Sequence, residues 1–360
     1  MLSRRQALSG SAALIGTLAS GTLGTKRAEA APGFHSSQRV PYGSCVALEP
    51  LQNEPDYRTA LKAYCQQLTP EYGFFWDYLQ PAPNQFNFSF ADSVLAFAEA
   101  NDMTMRGHTL VWYGAMPAWA QQIRGAAEAE SALAFHIETV VSRYRGKVKT
   151  WHVVNEPIED PKGSVAALRS SVWMQNLGEK YIDTAFHLAH QADPSAELLL
   201  NEYGIEMLDE ASTPKRQALL KLVHDLLGRG VPLHGVGLQG HLLDKYEIDC
   251  PAVHDFVSEI RALGLSVHIT ELDVVDDALP AAIPARDAVV AARAYDFLNA
   301  VCAVTRPSVI ETWGITDRYT WVPTYHKRAD GLSNRPLPLD DHYRPKPLWS
   351  VINHFCQQVA

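Results

Sequence analysis

From residue 43 onward, short runs rich in Val, Ile, Leu and aromatic residues alternate with longer stretches whose apolar positions recur every three or four residues. The runs fall near residues 43–48, 72–75, 103–106, 148–154, 197–201, 235–239, 265–270 and 308–313. Near-continuous apolarity over so few residues is what a parallel strand buried on both faces requires, so each run predicts a strand. The longer stretches, among them 91–100, 133–144, 173–190, 214–227, 253–263 and 285–301, carry the spacing of helices that lay one face on a core. Eight strand–helix units in succession fit either a doubly wound open sheet or a closed (β/α)8 TIM barrel. A length of roughly 330 residues after the first thirty, eight repeats and the lack of a Gly-rich dinucleotide fingerprint favour the α/β barrel. No Pro-, Gly- or Ser-rich linker interrupts the pattern, so residues 31–360 are expected to form one domain, with enlarged loops after the third, fourth and eighth strands.

The first thirty residues stand outside this pattern. Arg4 and Arg5 lie in Ser3-Arg4-Arg5-Gln6-Ala7-Leu8, followed by an uncharged stretch to Thr25 and by Ala28-Glu29-Ala30. A charged start, a weakly apolar middle and a small-residue cleavage site predict a cleaved export signal over residues 1–30. The paired arginines give it twin-arginine character, with Ala7 where that signal prefers Phe. The protein is then expected in the periplasm or outside the cell. Of the 360 residues 47% are apolar and 20% charged, with a net charge of −9, which describes a packed globular chain. It lacks the basic stripe that a phosphate backbone demands, so nucleic acid is not an expected partner. Past the first thirty residues no stretch approaches the roughly 20 apolar residues needed to cross a bilayer, so no membrane association is expected, and a monomer is. The five cysteines, Cys45, Cys65, Cys250, Cys302 and Cys356, show no C-x-x-C spacing and no paired His nearby, so no metal site is predicted. An oxidising compartment permits one or two disulfides and leaves at least one thiol free.

In a barrel of this kind the chemistry sits at the carboxyl ends of the strands. There the chain carries Arg106-Gly107-His108 with Trp112, Asn155-Glu156-Pro157, Asn201-Glu202-Tyr203, Gln239-Gly240-His241, Glu271-Leu272-Asp273, and Trp313 followed by Asp317 and Trp321. Glu156 and Glu271 each terminate a β-rich run, on the fourth and seventh strands, which lie on opposite sides of an eight-stranded barrel. Two carboxylates facing each other across a bound chain are the arrangement for cutting a glycosidic bond. One acid protonates the leaving oxygen while the other attacks, and a retaining pair stands about 5–5.5 Å apart. These duties need different surroundings, one favouring the proton and the other the charge. A neutral sugar offers hydroxyls and flat C–H faces, so amide and imidazole donors with indole platforms serve it and no cofactor is called for. A carbohydrate-binding protein without turnover would keep such a cleft; retention of both glutamates counts against it.

The chain resembles the glycoside hydrolase family 10 xylanases over nearly all of residues 41–355. The resemblance rests on Thr69-Pro70-Glu71 with Trp76-Asp77-Tyr78-Leu79-Gln80-Pro81, Arg106-Gly107-His108-Thr109-Leu110-Val111-Trp112 and Val153-Val154-Asn155-Glu156. It continues through Gln239-Gly240-His241, Ile269-Thr270-Glu271-Leu272-Asp273 and Trp313-Gly314-Ile315-Thr316-Asp317, all in order. It implies a retaining endo-1,4-β-xylanase in which Glu156 is the acid/base and Glu271 the nucleophile. His108, Asn155, Gln239 and His241 would hold the sugar at the cleavage point, and Trp112, Trp313 and Trp321 would wall it. Asp273 would support His241, and Glu71 and Tyr203 would be further sugar contacts. The chain departs from the family pattern where Glu-Asn with a Lys three residues on becomes Glu71-Tyr72-Gly73-Phe74-Phe75, and where His-x-Gln after Trp112 becomes Tyr113-Gly114-Ala115. The expected Trp-Asp is Trp151-His152. These changes predict a rebuilt glycone arm and open the alternative of a decorated xylan or another β-linked glycan as substrate.

Overall fold

The computed structural model describes residues 39–161 and 163–357; the export signal expected over residues 1–30 lies outside them. Nine strands form in chain order: β1 (Tyr42–Val46), β2 (Gln67–Pro70), β3 (Thr104–Val111), β4 (Val148–Asn155), β5 (Glu197–Glu202), β6 (Gly235–Leu238), β7 (His241–Leu243), β8 (Ser266–Val275) and β9 (Ile310–Thr312). Each of β1 to β6 is parallel to its sequence neighbour, β6 pairs with β8, β8 with β9, and β9 returns to β1, which closes the ring. The barrel therefore has eight staves. β7 continues the β6 stave past Gly240, whose φ of 74° suits a residue without a Cβ, and sets His241 opposite Asp273 on β8. The expected (β/α)8 architecture holds.

Between the strands run the amphipathic helices that the spacing foretold, including Ser89–Glu99, Ala126–Arg143, Ser212–Gly228, Cys250–Ala262 and Ile283–Cys302. Two expectations need correction. The stretch 173–190 is two helices, Val172–Leu177 and Lys180–Ala192, because Gly178 takes a left-handed φ of 62° and ends the first. The run 72–75 is a turn rather than a strand, and the second strand is β2. Phe74 of that turn is fully buried against Tyr144 and Trp151, so its apolarity reports burial and not a pleat. Gly107 of β3 is needed where it stands, since a Cβ there would come within 2.0 Å of the Trp151 ring.

A polar layer crosses the barrel interior below the carboxyl ends. Arg106 Nη1 lies 3.0 Å from Glu311 Oε2, both side chains fully buried, and Gln67 Nε2 donates to the same oxygen at 2.9 Å. His268 Nδ1 stands 3.2 Å from Arg106 Nη2. Paired in this way the charges tolerate burial, and they form the floor on which the strand-end groups rest. All five cysteines are thiols, so neither permitted disulfide forms. Among the described residues no helix is long and apolar enough to cross a membrane.

Candidate active site

Glu156, just past the end of β4, and Glu271, which lies inside β8 and not at its end as expected, come together through a chain of amides. Asn155, the last residue of β4, donates from Nδ2 to Glu156 Oε1 at 3.0 Å, and its Oδ1 accepts from Asn201 Nδ2 at 2.7 Å. The other N–H of that Asn201 amide donates to Glu271 Oε1 at 2.6 Å. Gln239 Nε2 adds a second donor to Glu156 Oε1 at 3.1 Å, and its backbone carbonyl accepts from the Glu271 N–H at 2.9 Å. Thr270 Oγ1 donates to Asn201 Oδ1 at 2.7 Å, so every polar atom of the Asn201 amide is engaged. Glu156 adopts a φ of 53°, a conformation that costs a non-Gly residue of order 1–3 kcal/mol. The surroundings hold it there: its N–H donates to the Asn201 carbonyl at 2.8 Å, and its own carbonyl accepts from Arg169 Nε at 3.0 Å.

The surroundings pull the two acids in opposite directions. Burial drives Glu156 above the usual carboxylate range; hydrogen bonds from Trp112 Nε1, 2.9 Å from Oε2, and from Gln239 offset part of this, and the nearby charge of Glu271 adds to it. Burial opposes the charge on Glu271 too, but His108, His241 and the Asn201 amide outweigh it and leave this carboxyl below its ordinary value. His241 is half-buried yet held well above a normal histidine, because Asp273 Oδ1 lies 2.9 Å from its Nδ1 and Glu271 Oε2 lies 3.2 Å from its Nε2, which together outweigh the cost of removing its charge from water. An imidazolium between two carboxylates fixes Glu271 in its ionised form. The surroundings favour the proton on one acid and the negative charge on the other, the division of labour that acid-assisted cleavage at a carbon centre requires.

Aromatic groups complete the walls. Trp321 Nε1 donates to Asp273 Oδ2 at 2.7 Å, and its ring meets His241 edge-on at 5.0 Å. The Trp313 ring packs on His108 at 4.9 Å, and Phe75 lies 5.0 Å from Trp112 and 5.8 Å from His108. Thus His108, Trp112, Asn155, Gln239, His241, Asp273, Trp313 and Trp321 gather around the two glutamates. Tyr203 sits further out on the β5 side, its hydroxyl taken up by Asp160 at 2.7 Å and by Arg169 at 3.1 Å. Glu71 follows β2 and is pushed upward in pKa by burial. No direct bond links either residue to the glutamates. Tyr72 turns aside to pack on Tyr78 and Phe90 at 5.1 and 4.8 Å.

The sequence reading did not single out Asn201, which bridges both acids, or Arg169, which braces the Glu156 backbone. The signal for Asn201 was its place at the end of the fifth strand in Asn201-Glu202-Tyr203. The structure also adds a grouping that spacing cannot show. His108 Nδ1 and His152 Nδ1 face each other at 2.7 Å, and Glu271 Oε1 lies 3.8 Å from His108 Nδ1. One donor atom from each of the three lies within 4.8 Å of the other two, as metal ligands do.

The sequence profile of glycosyl hydrolase family 10 matches residues 34–354. Endo-1,4-β-xylanase B of Thermotoga neapolitana is 33% identical over 316 residues, covering 86% of this chain and 85% of that protein. An endo-1,4-β-xylanase of Geobacillus stearothermophilus is 34% identical over 325 residues, covering 86% of this chain and 94% of its own length. Among solved structures, xylanase 10B of Thermotoga petrophila RKU-1 in complex with xylobiose superposes with a TM-score of 0.78 at 30% identity, over 89% of this chain and 94% of that one.

Proposed function

Because this chain belongs to glycosyl hydrolase family 10 and is a glycoside hydrolase of the endo-1,4-β-xylanase kind, we propose that it cuts internal β-1,4-xylosidic bonds with retention, using Glu156 as acid/base and Glu271 as nucleophile. Glu271 attacks the anomeric carbon and forms an ester bond to it. As the glycosidic C–O bond breaks, Glu156 passes its proton to the departing oxygen. A water that Glu156 then deprotonates attacks the same carbon, releasing Glu271 and a β-configured product. The observation that carries this reading is the amide bridge Asn155–Asn201 between two carboxyls whose surroundings shift them in opposite senses. Asn155 is suited to hold the 2-hydroxyl, a contact that strengthens as the ring flattens. His241 and Gln239 orient the acids, and Trp112, Trp313 and Trp321 offer indole faces to the sugar. Glu71 and Tyr203 are assigned to the sugar's more distant contacts.

The glycone arm is read as altered. The Phe75 ring lies against Trp112 and His108 where xylanases of this family present a cationic donor, and this favours a backbone whose hydroxyls are substituted there. The reading also includes export of the chain by the twin-arginine route, directed by residues 1–30; replacing Arg4 and Arg5 by Lys should keep activity inside the cell. The test of function is digestion of linear xylan and xylohexaose, with the product anomer followed by proton NMR. Internal cuts with the β-anomer appearing first are expected. The α-anomer appearing first, or no turnover, contradicts the assignment.

A further inference from the structure

We propose that His108, His152 and Glu271 form a three-ligand site for a divalent transition cation, with Zn2+ as the probe, and that its occupation excludes the sugar and silences the enzyme. The three come from β3, β4 and β8, and His108 and His152 are register partners across β3 and β4, so rigid strands place them. Their facing Nδ1 atoms are 2.7 Å apart and the Glu271 oxygen is 3.8 Å from the first. Tetrahedral Zn2+ with bonds of about 2.0–2.1 Å holds its ligand atoms roughly 3.4 Å from one another. Parting the two rings by a little over half an ångström and drawing the Glu271 oxygen toward His108 by less gives that spacing for those two pairs, and the third pair, His152 with Glu271, starts within 4.8 Å. Two imidazoles and one glutamate with a fourth position open form a donor set that zinc sites use.

The neighbourhood is compatible with an added cation. The nearby Arg106 charge is already met by Glu311 at 3.0 Å, and the His241 imidazolium 3.2 Å from the other Glu271 oxygen is met by Asp273 at 2.9 Å. His152 Nε2 is buried without a hydrogen-bond partner, so Nδ1 is the ring atom that has work to do. Only one of the two facing Nδ1 atoms can carry a hydrogen, and coordination replaces that single bond with two. The ligand His108 lies against Trp313 in the cleft, so a cation there and a sugar at the cleavage point compete for one space. The sequence motif hid the site, because its ligands are spread over more than 160 positions.

Binding does not depend on the role given to Glu271, whereas loss of turnover rests on it, and the experiment separates the two. The full chain freed of metal is titrated with Zn2+ by calorimetry, alone and with saturating xylobiose, and compared with His152→Asn. Exposed histidines take up Zn2+ weakly and respond to neither change. The site predicts one tighter Zn2+ per chain, weakened about a hundredfold or more by H152N, since even supporting groups of a metal site count for 10–100-fold. It also predicts weakening by xylobiose, and loss of xylan hydrolysis that chelation reverses. Should H152N fail to fold, the visible absorption of Co2+ on the unaltered chain, and its displacement by xylobiose, decides. Zn2+ affinity unchanged in H152N, or cation binding indifferent to xylobiose, overturns the inference. Tight binding at this site with hydrolysis undiminished upholds the site but overturns the silencing, and with it the role of Glu271.

Discussion

Removing the tryptophan that bonds Glu156 should make the enzyme work at higher pH. Trp112 Nε1 donates to Glu156 Oε2 at 2.9 Å, in a site where Glu156 is only 9% exposed. A bond to an ionised acceptor contributes about 1.5–3 kcal/mol and one to a neutral acceptor about 0.5–1.5. Its loss in Trp112→Phe therefore disfavours the carboxylate over the acid by about 1–1.5 kcal/mol, or about one pKa unit at 1.36 kcal/mol per unit. The direction follows from the acid/base duty proposed for Glu156. It must hold a proton to meet the leaving oxygen, so kcat/KM falls as pH rises through its pKa, and raising that pKa carries the basic limb upward. The assay is kcat/KM for xylotetraose from about pH 4 to 10, because a sugar leaving group needs the proton whereas a good aryl leaving group does not. Lost sugar contact will lower the whole profile without moving its limbs. A basic limb that stays in place or moves to lower pH refutes the reasoning.

Asn201→Ala strips Glu271 of a donor at 2.6 Å and leaves Asn155 Oδ1 and Thr270 Oγ1 short of partners. The acid limb of kcat/KM should rise, and thermal or urea unfolding should show a loss of about 2–4 kcal/mol. Glu271→Ala should reduce kcat by about four orders of magnitude or more, and azide should restore turnover of an aryl xyloside with an α-linked azide product detectable by NMR. Phe75→Lys, which returns a donor beside Trp112 and His108, should raise kcat/KM on linear xylohexaose by about tenfold, the worth of one good hydrogen bond; an unchanged or lower value would show that the ring does not limit linear chains. Glu197 is depressed to about 2 because His268, Ser266 and Arg106 outweigh the opposing effect of burial. Its contribution to stability is present above its unfolded pKa near 4.5 and lost as pH falls toward 2, so Glu197→Gln should destabilise most above pH 5 and little near pH 2 in urea titrations.

The barrel was legible because strands buried on both faces must be apolar almost throughout, and eight such runs at helical intervals leave few alternatives. The reading slipped at β2, whose Gln67-Leu68-Thr69-Pro70 includes groups that serve the polar layer, Gln67 bonding Glu311, while the neighbouring Phe74 in a turn is buried in the core. Hydrophobicity reports what is buried and not which backbone shape buries it. The site was legible where identity alone carries chemistry: two acids ending strands on opposite sides could hardly serve packing. Asn201 escaped because an amide has no meaning until its partners are known, and its partner Glu271 is 70 residues away. His152 stood out along the chain as the residue in place of an expected Asp, but its pairing with His108 follows from the β3–β4 register and not from any spacing.

The covalent ester between Glu271 and the sugar is the most exposed step of the account, and a slow substrate can hold it in place. Incubation with an activated 2-deoxy-2-fluoro-β-xylobioside, proteolysis and mass spectrometry should find one fluoroxylobiosyl group per chain, on the peptide that contains Glu271 and absent from Glu271→Ala. An adduct on Glu156 or elsewhere, or steady hydrolysis of the reagent with inversion and no adduct, would contradict it.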